Sequence, residues 1–105
     1  MADTLHRSSG NVFRDIGFSS AEAETLRIRA ELMICLSQFI ESQKLTQAAA
    51  ARLFRVTQPR ISNLVRGRIE LFSIDTLVEM LARAGIRVRV TVGRSPAKPK
   101  RRQAA

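Results

Sequence analysis

Within the nine residues 58–66 the chain places Gln58, Arg60, Ser62, Asn63 and Arg66, with no Asp or Glu among them. Amide, hydroxyl and guanidinium groups on one short stretch suit hydrogen bonding to base edges and phosphate oxygens. An amide matches the donor–acceptor pair of adenine, and a guanidinium reaches either a guanine or a phosphate. On this reading Gln58, Arg60, Ser62 and Asn63 contact bases, with Arg60 able to serve a neighbouring phosphate instead. Gln47, Arg52, Arg55, Thr57, Arg66 and Arg68 surround them and would hold phosphates. Chemistry of other kinds lacks its parts. His6 is the only histidine and Cys35 the only cysteine, so neither a zinc site nor a nucleophile–base pair can be assembled. The sequence has no glycine-rich phosphate loop and no paired-carboxylate constellation. It therefore points away from an enzyme, and from any metal or cofactor.

The elements that must position these groups follow from residues 45–67, LTQAAAARLFRVTQPRISNLVRG. The pattern predicts a helix from Gln47 to Phe54, a turn at Arg55, Val56 and Thr57, and a second helix from Gln58 to about Arg66. Thr46 and Thr57 stand where each helix needs an N-cap oxygen. Pro59 falls in the first turn, where a missing N–H costs nothing, and Gly67 where a helix stop is wanted. Gln47, Ala50, Ala51 and Phe54 keep helical spacing, as do Ile61, Leu64 and Val65. The two stripes can close on each other through Val56, leaving Gln58, Pro59, Ser62, Asn63 and Arg66 outward. An ordinary helical hairpin would share this pattern, but not its basic balance.

A chain of 105 residues with 45% hydrophobic residues makes one small domain with a thin stability margin, which dimerisation would help. No run reaches a membrane-spanning length, and the N-terminus lacks the apolar core of a secretory signal. One cysteine rules out a disulfide framework, so the expected location is cytoplasmic. The net charge of +9 is uneven. Residues 1–43 carry four Arg against six Asp/Glu, a net of −2, whereas residues 44–68 carry six Lys/Arg and no acid. Residues 87–105 hold seven more Lys/Arg and again no acid. The excess coincides with the helical pair and the C-terminal end, so the implied partner is double-stranded DNA.

The rest of the chain divides into an arm (1–18), a helical domain (19–85), a strand (86–93) and a basic tail (94–105). In the arm, Val12, Phe13, Ile16 and Phe18 form an apolar segment. It either folds back onto its own domain, docks a partner protein, or dimerises. Ser19 caps a helix running to about Ser42, with Ile28, Leu32, Cys35, Leu36 and Phe39 as its main stripe; Leu26, Ala30 and Met33 form a weaker one. Cys35 is thereby expected to be a buried structural thiol. Ser73 caps a last helix with Ile74, Leu77, Val78 and Leu81 inward and Gly85 as its stop. From Ile86 to Val92 the period becomes two, the signature of a strand. Nothing else in the chain offers it a confident partner. Val88, Val90 and Val92 are therefore expected at a homodimer or partner interface, with pairing inside the subunit as the third option. The tail, GRSPAKPKRRQAA from Gly93, reads as disordered; it either adds non-specific affinity or only keeps the protein soluble.

The helical pair resembles the helix-turn-helix of the Cro/phage-repressor (XRE) class in Thr46-Gln47, Ala51, Val56, Thr57-Gln58, Ile61 and Leu64. It departs where Arg55 replaces the usual turn glycine, at an expected cost of ~1 kcal/mol for a left-handed residue. Ala50 also replaces the usual core leucine, for which Phe54 can compensate. Over residues 11–92 the chain looks like small bacterial XRE antitoxins of HigBA/RelE-type toxin–antitoxin modules. That resemblance implies an all-α, λ-repressor-like domain of four to five helices, operator binding as a homodimer, and neutralisation of an mRNA-cleaving RelE/HigB-like toxin. A solitary regulator without a toxin, and an interaction module that no longer binds DNA, are the other two readings.

Overall fold

A computed structural model describes residues 11–94, so the segments 1–10 and 95–105, including His6 and most of the basic tail, lie outside the described residues. The elements are α1 (Val12–Asp15), α2 (Ser20–Ser42), α3 (Gln47–Phe54), α4 (Gln58–Val65), a 3-10 turn (Ile69–Leu71) and α5 (Ile74–Arg83). Four of these helices surround one core and α1 packs against α2, so the described residues form an all-α domain, as expected.

Each long helix starts on the residue its sequence nominated. The side-chain oxygens of Ser19, Thr46, Thr57 and Ser73 accept from the backbone N–H three residues on, at Glu22, Ala49, Arg60 and Thr76. These bonds satisfy donors that no helix can satisfy internally. Gly67 and Gly85, just beyond α4 and α5, have φ of 75° and 82°, a region glycine enters without a Cβ clash. Arg55 also occupies that region, with φ 61° and ψ 46°, although it has a Cβ. In return its N–H, and that of Val56, bond the Ala51 carbonyl and close the end of α3.

The core joins Met33, Leu36 and Ile40 of α2 to Ala50, Ala51 and Phe54 of α3, Ile61 and Leu64 of α4, Phe72, and Leu77, Met80 and Leu81 of α5. Ala50 and Ala51 let α3 and α4 approach closely, and Phe54 fills the space beside them against the edge of the Phe39 ring, 6.1 Å away. Arg83 donates from Nη1 to the Phe54 carbonyl at 3.0 Å, so α5 supplies a cation to the C-terminal end of α3.

Three expectations about the core and its edges are corrected. Cys35 is exposed, because α2 turns its buried line through Met33, Leu36 and Ile40. Successive residues on a helix lie about 100° apart, so burying Leu36 aims Cys35 outward. Val65 is also exposed and forms, with Phe13, Met33, Ile34, Leu64 and Ile69, part of an open groove of about 440 Å³ between α1, α2 and α4. Residues 86–92 form no strand in the single chain. Ile86 and Val88 pack on the core, while Val90 and Val92 are 78% and 91% exposed. A ladder needs a second strand, and the described residues of one chain provide none.

The arm folds back in part. Asn11 caps α1 through its side-chain oxygen and donates from Nδ2 to the Ala23 carbonyl at 3.1 Å, which ties α1 to α2. Phe13 is half-buried and meets Phe18 edge-on at 6.3 Å, but Val12, Ile16 and Phe18 remain exposed.

Candidate nucleic-acid interface

The α3–turn–α4 unit holds the expected reading surface. Ile61 and Leu64 are buried, which fixes the roll of α4 and leaves Gln58 and Pro59 exposed and Ser62 and Asn63 half-buried. Gln58 is the first residue of α4 and Pro59 stiffens that turn. Thr57 is exposed; its hydroxyl oxygen accepts from the Arg60 N–H at 3.4 Å, and its hydrogen stays available for a phosphate. Gln47 opens α3 and is exposed, as are Arg52, Arg55, Arg66 and Arg68. These ten positions thus lie on one unit, and no carboxylate belongs to its two helices or its turn.

Two of the arginines are engaged with the protein. Arg68 donates from Nε to Glu70 Oε2 at 3.0 Å. The Glu70 carboxyl is held below its usual range first by its own backbone N–H and then by Arg68. This pair is exposed, so a phosphate can compete for Arg68 at little cost. Arg60 is engaged more firmly. Its Nη1 donates to the Leu71 carbonyl at 3.0 Å and its guanidinium lies 4.5 Å from the centroid of the Phe72 ring. Leu71 and Phe72 are not legible in the sequence as partners of α4, since contacts eleven and twelve residues away leave no periodic trace. The bond from Arg83 to the Phe54 carbonyl, which joins the end of α5 to that of α3 across 29 residues, leaves no such trace either.

Among the described residues no group of three or more metal-binding side chains comes together, and no helix is long and apolar enough to cross a membrane.

An all-α domain whose second and third long helices form a capped, acid-free pair with a three-residue turn is a helix-turn-helix DNA-binding domain. The sequence matches the family described as "Helix-turn-helix domain" over residues 12–93, and the chain belongs to that family. No curated protein matches it. Among solved structures, the chain is similar to one named "Putative XRE Family Transcriptional Regulator", with 31% identity and a TM-score of 0.66. The match covers 80% of this chain and 91% of the other. The protein is thus an XRE-like helix-turn-helix protein, of a kind that binds DNA and is not an enzyme.

Proposed function

We propose that the chain is a sequence-specific transcriptional repressor that reads an operator through Gln58, Ser62 and Asn63. Gln47, Arg52, Arg55, Thr57, Arg66 and Arg68 anchor it to the phosphates on either side. The observation that carries this reading is the exposed face of α4, which presents amide and hydroxyl groups within a segment, residues 44–68, that has six Lys/Arg and no acid. The repressor acts as a homodimer, in which residues 86–92 of two copies pair antiparallel about a two-fold axis. What supports this is a segment with alternating valines, two of them almost wholly exposed, and no partner strand among the described residues. Two recognition helices would then meet half-sites about one helical turn apart, ~10 bp centre to centre.

The repressor is also the antitoxin of a toxin–antitoxin module and represses its own operon. The resemblance over residues 11–92 supports this role, and the exposed Val12, Ile16 and Phe18 offer apolar surface to a partner protein. Footprinting on the DNA upstream of its own gene, with and without the product of the adjacent gene, tests both parts. A protected, two-fold symmetric site supports the repressor. Co-purification with the adjacent product, and relief of its toxicity by this chain, supports the antitoxin role. A protected site with no such partner leaves a solitary regulator.

A further inference from the structure

Of the polar residues expected on the reading face of α4, Arg60 alone is tied to another element. Its Nη1 bonds the Leu71 carbonyl at 3.0 Å, and its guanidinium covers the Phe72 ring with 4.5 Å to the centroid. Phe72 is 1% exposed and belongs to the core, and it directly precedes Ser73, the N-cap of α5. Arg60 therefore joins the first turn of α4 to the start of α5. Its place on the helix agrees. At about 100° per residue, Arg60 lies about 110° from the outward line through Pro59 and Arg66, on the flank opposite Gln58, and it is half-buried there while Gln58 is exposed.

We propose that Arg60 is a positioning residue, which sets the pitch of α4 and hence the aim of Gln58, and does not itself contact base or phosphate. The physical need is plain. A helix of two turns held only by Ile61 and Leu64 is fixed in roll but can rock about that line of contact. A bond on its flank, two residues from Gln58, removes the rocking. The Thr57 cap and Pro59 stiffen the turn itself but do not fasten it to the body of the domain. A guanidinium suits the task because its edge can donate while its face stacks on a ring. An ammonium, being a compact point charge, does not reproduce both contacts.

This inference rests on the base reading proposed for Gln58, and the experiment keeps the two apart. The wild-type chain selects preferred duplexes from a random pool. The affinity of Arg60→Met and Arg60→Lys for a selected and for an unrelated duplex is then measured across a salt series, with Arg55→Ala as the phosphate comparison. Arg60→Met should lower the preference for the selected duplex roughly tenfold, spread over the positions of a half-site. Its salt slope should remain that of the wild type, whereas Arg55→Ala should lose about one unit. Arg60→Lys should not restore the preference. Phe72→Leu should reproduce the loss, and the double variant should read no worse than the two single ones, because the residues act through one contact. A slope lower by one unit in Arg60→Met would make Arg60 a phosphate contact and overturn the inference. So would a loss confined to one base pair with Phe72→Leu harmless, or an unchanged preference. If Arg60→Met fails to fold, the lysine variant decides: preference lost at the wild-type slope supports positioning, and preference kept overturns it. A wild-type chain that selects no duplex would remove the base-reading proposal itself.

Discussion

Arg55 offers a test in which stability and DNA affinity should move in opposite directions. It sits at the turn after α3 with φ 61° and ψ 46°, where L-residues other than glycine clash with the following carbonyl. That conformation costs roughly 1–2 kcal/mol relative to glycine. Replacing Arg55 by Gly relieves the clash but also frees the unfolded chain, which takes back about 0.4–1 kcal/mol. The net gain for Arg55→Gly is therefore about 0.5–1 kcal/mol, which raises the midpoint of thermal unfolding by roughly 2–8 °C in a domain of this size. The N–H that closes α3 onto the Ala51 carbonyl is kept in the variant, so no bond is lost. The guanidinium, however, is gone, and the salt slope of DNA binding should fall by about one unit. Arg55→Ala separates the two effects, since it keeps the strain and removes the charge: it should lower the slope without raising the midpoint. Calorimetry and a salt titration of binding read both quantities. An Arg55→Gly protein no more stable than wild type would refute the strain argument, and an unchanged slope would remove Arg55 from the phosphate contacts.

Two further perturbations probe the scaffold and the assembly. Arg83→Met keeps the stem but removes the bond to the Phe54 carbonyl, and since Arg83 is partly solvated the loss should be about 1 kcal/mol in chemical denaturation. No change in stability would show that water replaces the guanidinium without cost. Val90→Pro removes a ladder donor from the C-terminal segment. Sedimentation should find a wild-type dimer and a monomeric variant, whereas a monomer in both leaves that segment to a different partner.

Much of this architecture is legible in the sequence because local rules govern it. The caps at Ser19, Thr46, Thr57 and Ser73, and the stops at Gly67 and Gly85, need only a few neighbouring residues to be read, and the structure uses each of them. The roll of α2 was less legible. Its apolar residues cover more than one face, and only packing against α4, α5 and the 3-10 turn selects the line through Met33, Leu36 and Ile40 over the one through Cys35. The alternation of residues 86–92 is plain in the sequence, but a period of two states a preference that a lone segment cannot satisfy without a second strand. Within the candidate site, residue types and exposure were readable, whereas the attachment of Arg60 to Leu71 and Phe72 depends on where the 3-10 turn passes α4.

The central claim is that the exposed start of α4 reads base edges. It is tested most directly by comparing duplexes selected from a random pool by the wild-type chain and by Gln58→Ala. Gln58 is exposed at the first position of α4 and carries an amide suited to adenine. The account predicts that the variant loses discrimination at one position of each half-site, by ~1–3 kcal/mol, while its affinity for unrelated DNA and its salt slope stay as they were. Equal weakening toward all duplexes would contradict it, and would make Gln58 an anchor on the phosphates.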